Sequence, residues 1–211
     1  FGNNDTQSRQ MIPVPRGNRY ANVVQVTRRN IRAELNYIAD NLPPGVKMHA
    51  MRLPASIDRF PVVFEAAPDA PIGGSLVDLK VRQVLKPDEK ATPAEGGYSH
   101  NFILVRGPGN TDMYSTSVNQ LAVSVTEEVP FKIEIEKPPA PILQRGSMSL
   151  KVRAIRKEGF DEQIVLRMLW NPPGIGSRGT VNIPKGKSEV SYPLTANGGA
   201  AVGTWKIAIL G

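Results

Sequence analysis

A repeat with a spacing of 129 residues limits what this chain can fold into more than any other feature of its sequence. Pro43-Pro44-Gly45-Val46 returns as Pro172-Pro173-Gly174-Ile175, each time just after an asparagine, and Leu53-Pro54 returns as Ile183-Pro184. The same shift aligns further short segments: Pro15-Arg16-Gly17 with Gln144-Arg145-Gly146, Val26–Arg29 with Ile155–Glu158, Gly73–Leu76 with Val202–Trp205, and Phe1-Gly2-Asn3 with Phe131-Lys132-Ile133 after a slip of one residue. A repeat that keeps one register over roughly 70 residues predicts a duplicated module.

The residues that repeat are turn formers. Proline cannot donate to a strand ladder, and glycine adopts backbone angles that other residues avoid, so Pro-Pro-Gly is typical of a strand end. The run Ala67–Gly73 has the same character and predicts a corner before the next strand. The repeat therefore indicates a shared fold before it indicates a shared ligand.

Between these turns the apolar residues alternate with polar ones. The alternating segments of the first copy are Met11–Val14, Tyr20–Thr27, Ile31–Ala39, Val46–Leu53, Phe60–Ala66 and Leu76–Leu85, and those of the second are Gln163–Trp170, Gly179–Ile183, Glu189–Leu194 and Thr204–Leu210. Period-two alternation in short runs separated by turns predicts an all-β chain of two tandem immunoglobulin-like β-sandwich domains. The predicted domains are residues 1–128 and 129–211.

Three segments leave alternatives or breaks in this pattern. Residues 30–41 contain good helix formers, but their copy at Gln163–Trp170 favours a strand. Residues 1–10 are polar, which predicts the remnant of a first strand and a linker. Residues 87–128 have no counterpart and predict an insertion, made of an exposed loop at 87–99 and of strands Asn101–Arg106 and Met113–Thr126 around Gly107–Asn110. Two explanations remain open at this point: either the first domain has an extra hairpin, or the second domain is truncated before its own.

The composition excludes several classes of site. The chain has no cysteine, so disulfides and thiolate chemistry are excluded. It has no apolar run long enough to span a membrane. Because it opens at Phe1 without a methionine, we expect a processed or excised piece whose targeting signal lies elsewhere.

The net charge of +7 is concentrated in the second domain. Residues 129–211 carry 12 Lys and Arg against 6 Asp and Glu, whereas residues 1–128 are nearly balanced. A basic domain can bind a polyanion, and Lys151, Arg153 and Lys187 are the predicted contacts. The alternative is that Lys151 and Arg153, which alternate with apolar residues, lie on a solvated strand face.

No reaction centre is visible in the sequence. The two histidines, His49 and His100, have no partner that the sequence identifies, and two distant histidines do not make a zinc site. The oxygen-rich segments Asp88-Glu89 and Asn110–Asp112 lack the dense spacing of a calcium loop. We predict no catalytic residue, no metal and no cofactor.

Aromatic residues are few, which bears on ligands that stack on rings. Nucleic acid is not predicted as a partner, because exposed aromatics do not alternate with the basic residues. Trp170 and Trp205 are predicted to lie in the core. Tyr98, Tyr114 and Tyr192 are the possible carbohydrate platforms.

The turn motifs also carry a resemblance. Leu42–Val46, Leu53-Pro54-Ala55 and Ala66–Gly73, with Asn171–Ile175 and Ile183–Gly186 in the second copy, look like the Ig-like modules found beside glycosidase and peptidase domains in large exported bacterial proteins. Surface proteins with pre-peptidase C-terminal domains carry similar modules. The resemblance covers most of residues 11–86 and 140–211.

What the resemblance implies is a non-catalytic module outside the cytoplasm, at the cell surface, in the periplasm or extracellular. We expect a structural spacer or adhesion module whose partners are the neighbouring domains of its parent protein. The alternative is a carbohydrate- or polyanion-binding module that uses the basic second domain. An enzyme using His49 or His100 is the third reading.

Overall fold

The computed structural model describes residues 11–211, and in this range the chain forms strands, one 3-10 turn at Pro108–Asn110 and no α-helix. The prediction of an all-β chain is thus confirmed. Residues 30–41, where a helix was the alternative, contain the strand Leu35–Asp40. Residues 31–34 are irregular, so the strand predicted from Ile31 begins four residues later. The remnant of a first strand predicted for residues 1–10 lies outside the described residues.

By its internal contacts the chain divides into two compact units, one of residues 11–20 and 25–127 and the other of residues 21–24 and 128–211. We call residues 11–127 the first half and residues 128–211 the second half. The first half contains β1 (Ile12–Pro15), β2 (Arg19–Gln25), β3 (Leu35–Asp40), β4 (Val46–His49), β5 (Arg59–Ala66), β6 (Gly73–Gln83), β7 (Glu95–Gly97), β8 (His100–Arg106), β9 (Asp112–Val118) and β10 (Leu121–Thr126). The second half contains β11 (Phe131–Ile135), β12 (Ser147–Arg156), β13 (Ile164–Met168), β14 (Ile175–Ser177), β15 (Val181–Ile183), β16 (Glu189–Ala196) and β17 (Ile209–Leu210).

The first half has two sheets and a separate hairpin. One sheet has the order β1-β10-β6-β3, with β7 also paired to β6, and the other has the order β2-β5-β4. Strands β8 and β9 pair only with each other. The alternating residues Phe60, Val62 and Phe64 of β5 are at most 1% exposed, and Val77, Val123 and Val125 of the other sheet are similarly buried. This arrangement is compatible with a β-sandwich whose core is mostly aliphatic.

Among the described residues, strand β1 lies at the edge of its sheet and pairs in parallel with β10. Its side chains alternate, so Ile12 and Val14 are buried while Pro13 and Pro15 are half-buried. The N–H of Arg16 donates to Thr126 on β10, which places positions 12, 14 and 16 on the bonded side and both prolines on the outer side. Proline is tolerated there because an outer edge needs no donor.

The second half also has two sheets, in the orders β11-β12-β16-β14 and β15-β13-β17. Its core contains Leu150, Val152, Leu166, Ile183 and Tyr192 among other buried residues. The Tyr192 hydroxyl joins the two sheets, because it donates to the carbonyl of Arg178 at 2.7 Å and accepts from the N–H of Met168 at 3.0 Å. A buried tyrosine needs such partners for its hydroxyl.

The strand pairing of the two halves corresponds. The sheet β2-β5-β4 matches β12-β16-β14, and the pairing of β3 with β6 matches that of β13 with β17. The bridge between Leu35 and Leu53 matches the pairing of Ile164 with Ile183. Gly45 and Gly174 have φ values of +76° and +79°, and a Cβ on either would collide with an alanine, Ala70 or Ala200. The predicted repeat is therefore visible in the backbone.

The register of the repeat differs from a uniform shift of 129. Equivalent hydrogen bonds link Asn18 to Ala66 and Gly146 to Ala196, so the shift is 128 at β2 and 130 at β5. Leu79 and Ile209 occupy equivalent pairing positions, so the shift is also 130 at β6. Trp205 thus matches Ser75 and not Leu76. One-residue length differences in the intervening loops cause this drift.

Four predicted segments also need correction. Val46–Leu53 is a strand only to His49, and Thr204–Leu210 only at its last two residues before Gly211. The loop at 87–99 includes the short strand β7. Met113–Thr126 is divided between β9 and β10. Since β10 lies inside the main sheet and fills the core, it is not part of an inserted hairpin.

Candidate functional site

The basic residues predicted to bind a polyanion lie on and beside β12. Lys151 and Arg153 alternate with the buried residues Leu150, Val152 and Ala154, which places both cations on the outer face of the sheet. Alternation of a strand between core and solvent produces this arrangement. Both cations therefore lie on a solvent-facing strand face, which the polyanion-binding prediction and its alternative both require.

Carboxylates accompany both of these cations. Lys151 Nζ lies 2.9 Å from Glu189 Oε2, and Arg153 Nε lies 2.6 Å from Glu136 Oε1 and 3.7 Å from Glu189 Oε2. The hydrogen bond from Lys151, with the charges of Lys151 and Arg153, holds the pKa of Glu189 below its usual value. Glu134 also lies opposite Arg153 in the register of β11 and β12. The face is therefore a charge-balanced network, and an anion would compete with its own glutamates.

Lys187 lies apart from this network, in the loop between β15 and β16. Its backbone N–H donates to Pro184, and its carbonyl accepts from Arg156 Nε at 3.1 Å. Between residues 11 and 211 we find no carboxylate paired with its ammonium group. The structure thus brings Lys151 and Arg153 together through Glu189, and leaves Lys187 as a separate exposed cation.

Arg156 is a residue whose role the sequence did not reveal. It sits at the end of β12 and donates to three backbone carbonyls, those of Glu162 at 2.6 Å, Lys187 at 3.1 Å and Pro184 at 3.4 Å. Its guanidinium carbon also lies 5.4 Å from the ring centre of Phe160. These bonds tie the corners before β13 and β16 to the end of β12.

The first half contains the same arrangement around Arg28. Its guanidinium donates to the carbonyls of Ala33 at 2.6 Å, Pro54 at 2.9 Å and Ile57 at 3.4 Å. These acceptors are the positions equivalent to Glu162, Pro184 and Lys187. We call Arg28 and Arg156 the corner arginines. The signal in the sequence was a basic residue in each of the aligned segments Val26–Arg29 and Ile155–Glu158, offset by one position in that alignment.

A second repeated contact closes the corner after β5 and β16. Arg16 Nε donates to the carbonyl of Ala70 at 2.9 Å, and Gln144 Nε2 donates to that of Ala200 at 2.9 Å. A cationic and a neutral side chain make the same bond. The conserved partner is therefore the backbone carbonyl, which any nitrogen donor of suitable length satisfies.

The two histidines lie in different surroundings. His49 Nε2 is 2.9 Å from Glu65 Oε2, and the same oxygen accepts from Arg19 Nε at 3.0 Å. Arg19 and His49 lower the pKa of Glu65, chiefly through the hydrogen bond from Arg19. His100 instead contacts the ring of Phe102 at 4.4 Å and stacks at 6.4 Å from that of Tyr98. No hydroxyl donor to either histidine is recorded in the described range.

The oxygen-rich segments do not converge. Glu89 accepts from the backbone N–H of Lys86 at 3.2 Å, and Asn110 accepts from Arg106, which also lies 3.8 Å from Asp112. Among residues 11–211 no group of three or more acidic, histidine or cysteine side chains is placed to hold a metal ion.

The aromatic residues considered for carbohydrate binding differ in exposure. Tyr114 is 67% exposed, whereas Tyr192 is 0% exposed, so the prediction of Tyr192 as a platform is wrong. Burial raises the pKa of Tyr98. Trp170 and Trp205 are half-buried and pack on each other with ring centres 6.0 Å apart, so neither reaches the full burial expected of a core residue.

Comparison with known proteins adds no assignment. No protein-family model matches the chain. No curated protein matches it. Within residues 11–211 there is also no helix of the length and apolar character needed to cross a bilayer.

Proposed function

We propose that the chain is a pair of tandem immunoglobulin-like β-sandwiches that serves as a non-catalytic spacer or adhesion module of a larger exported bacterial surface protein. Its partners would be the neighbouring domains of that protein. The observation that carries the proposal is the repeated corner arginine. In both halves one arginine donates to three backbone carbonyls and so holds the corners between strands in place. Module identity rests on the matching strand order and on the turn motifs.

The structural role fits how the charges are used. Arg28 and Arg156 donate hydrogen bonds to backbone carbonyls. Lys151 and Arg153 form ion pairs with Glu189 and Glu136. A module selected to bind polyanions would instead leave its cations free to contact the ligand. Of the three predicted contacts, only Lys187 has that freedom, and one exposed lysine supplies little affinity.

Single-molecule pulling tests the spacer proposal. A chain of two independently folded modules should unfold in two separate events. From roughly 3.6 Å per extended residue, the first half would release about 400 Å of contour length and the second about 300 Å. A single event, or extension of either half without a force peak, would contradict the proposal.

Binding to polysaccharides tests the alternative. The chain is applied to immobilised neutral and acidic polysaccharides at low and high salt, with K151Q/R153Q and K187Q as variants and R29Q as the matched control at an exposed arginine. The spacer proposal predicts no retention at physiological salt. Salt-sensitive retention lost in K151Q/R153Q, and kept in R29Q, would establish the polyanion-binding function instead.

A further inference from the structure

The hairpin of β8 and β9 leaves the main sheet of the first half as a separate arm. β7 and β10 pair with the same side of β6, β7 at residues 80–82 and β10 at residues 73–77. The chain between them forms the hairpin at residues 100–118, which we call the arm. Among the described residues, β8 and β9 pair only with each other. Both ends of the arm are thus fixed at one side of β6, and the arm itself belongs to no other sheet.

β9 is the more exposed strand of this arm. Its residues 112–117 are all exposed, and only Val118 at its end is half-buried. Because successive side chains of a strand point to opposite faces, this run leaves both faces of β9 in solvent. No described residue pairs with the outer side of β9, so its backbone N–H and C=O groups on that side can accept an incoming strand.

The outer side of β9 lacks the features that protect edge strands from pairing. Such edges are commonly protected by proline, by lysine or by other charged side chains. β1 carries two prolines on its outer side. β9 has neither proline nor lysine, and its one charged residue, Asp112, lies at its first position beside Arg106. Tyr114–Val118 is therefore an uncharged and unprotected strand edge.

The residues Tyr114–Val118 are also nearly palindromic, since they read Tyr-Ser-Thr-Ser-Val. An antiparallel pair of two such strands, centred on Thr116, creates three kinds of opposed residues. They are Tyr114 with Val118, Ser115 with Ser117, and Thr116 with its own copy. Aromatic with β-branched residues and hydroxyl with hydroxyl residues are favourable cross-strand pairs, and no like charges oppose each other. This symmetry favours a second copy of the chain as the partner, because a two-fold axis supplies the matching residue at every position.

β9 is better suited to this pairing than β8, the other strand of the arm. β8 carries an extra residue, Leu104, between two residues that pair with adjacent positions of β9. Such a bulge bends a strand and interrupts the ladder along it. The corresponding irregularity of β9 is at Met113, outside Tyr114–Val118. A second copy therefore meets a continuous strand at β9.

We propose that two copies of the chain associate through β9, edge to edge and antiparallel, about a two-fold axis at Thr116. The product is a four-stranded sheet in the order β8-β9-β9-β8. One pair of short strands buries less than the roughly 800 Å² per partner of a stable complex, so the association is weak and depends on concentration. This proposal rests on the arm and is independent of the spacer function.

The absence of cysteine from the chain allows a disulfide test of this register. In an antiparallel ladder the Cα atoms of opposed residues lie about 4.5–5.5 Å apart, within the span of a disulfide, whereas diagonal neighbours lie about 7–8 Å apart. T116C should therefore form a disulfide-linked dimer with oxidised glutathione. S115C and S117C should each form little dimer alone and should form the mixed dimer when combined. S56C, at an exposed serine outside the arm, is the control, and T116C should give about tenfold more dimer.

Sedimentation velocity tests the same interface without cysteine chemistry. The wild type should show a monomer–dimer equilibrium between about 10 µM and 1 mM. T116K places two lysines opposite each other at the two-fold axis and should weaken the dimer about tenfold, because like charges at this distance repel. T116V is the matched control, which keeps a strand-forming residue and should dimerise within a few-fold of the wild type. Because Thr116 is exposed, both variants should keep the urea midpoint of the wild type.

Three results would overturn the proposal. The first is a wild type that stays monomeric up to about 1 mM, which would leave β9 to a different polypeptide segment. The second is equal dimerisation of T116K and the wild type, which would place the interface elsewhere on the chain. The third is a mixture of S115C and S117C that forms no more dimer than either variant alone, which would show that the strands do not pair in this register.

Discussion

Replacing Arg28 with methionine removes a guanidinium that binds three carbonyls, and the loss of stability can be estimated bond by bond. The bonds to Ala33 and Pro54 are 2.6 and 2.9 Å long, whereas that to Ile57, at 3.4 Å, contributes little. A hydrogen bond to a charged group contributes about 1.5–3 kcal/mol, which gives about 4 kcal/mol for the two short bonds. Arg28 Nε is buried without a partner in the described range, so its removal returns about 1 kcal/mol.

The expected loss for R28M is therefore about 3 kcal/mol of the free energy of unfolding. Urea denaturation followed by far-UV circular dichroism measures it. With a urea m-value of about 2 kcal/mol/M, the midpoint of the first half should fall by about 1.5 M. Tryptophan fluorescence reports only the second half, because Trp170 and Trp205 both lie there, and its transition should not move.

R156M makes the equivalent change in the second half. The urea midpoint followed by tryptophan fluorescence should fall, and the urea midpoint of the first half should stay unchanged. R29M is the matched control, since Arg29 is an exposed neighbour of Arg28. If R28M and R29M unfold within about 0.5 kcal/mol of each other, the corner arginine does not stabilise the first half as we argue.

Three other predictions follow from the same structure. G174A should cost about 3 kcal/mol, because its Cβ meets the backbone of Ala200, whereas G159A, with a similar φ of +80° and open space, should cost about 1 kcal/mol in the same fluorescence assay. Burial raises the pKa of Tyr37 to about 12. The neutral tyrosine therefore contributes to the free energy of unfolding below pH 10, and this contribution is lost as the pH rises through 12. Y37F should remove part of the loss of stability that urea titrations measure at alkaline pH. The pKa of Glu65 is lowered in the folded state. Its contribution to the free energy of unfolding is therefore present above the ordinary carboxyl pKa of 4.5 and is lost as the pH falls through the folded pKa. In E65Q the stability should fall less steeply with decreasing pH in the acid range.

The sequence was sufficient for the features that depend on local chemistry. Alternation in segments such as Phe60–Ala66 predicted strands, because burial of one face leaves a period of two in the sequence. Pro43-Pro44-Gly45 and its copy predicted equivalent turns, because the positive φ at Gly45 and Gly174 requires glycine.

Other features depend on groups that a sequence does not display. The acceptors of Arg28 are backbone carbonyls, which every residue carries, so no residue type marks them. The balance between Lys151 and Glu189 depends on the pairing of β12 with β16, which brings together residues far apart in the chain. The drift in register arose in loops, where added residues leave no periodic signal.

The two prolines on the outer side of β1 also bear on the solubility of the chain. β1 is apolar along its whole length, and an exposed apolar edge strand is a template for aggregation. An incoming strand that approached β1 would find no donor at Pro13 or at Pro15. P13V/P15V would restore both donors and keep the apolar character, so we expect this variant to scatter more light at high concentration than the wild type. The prolines thus act as gatekeepers against a misassembly to which the sequence of β1 would otherwise be prone.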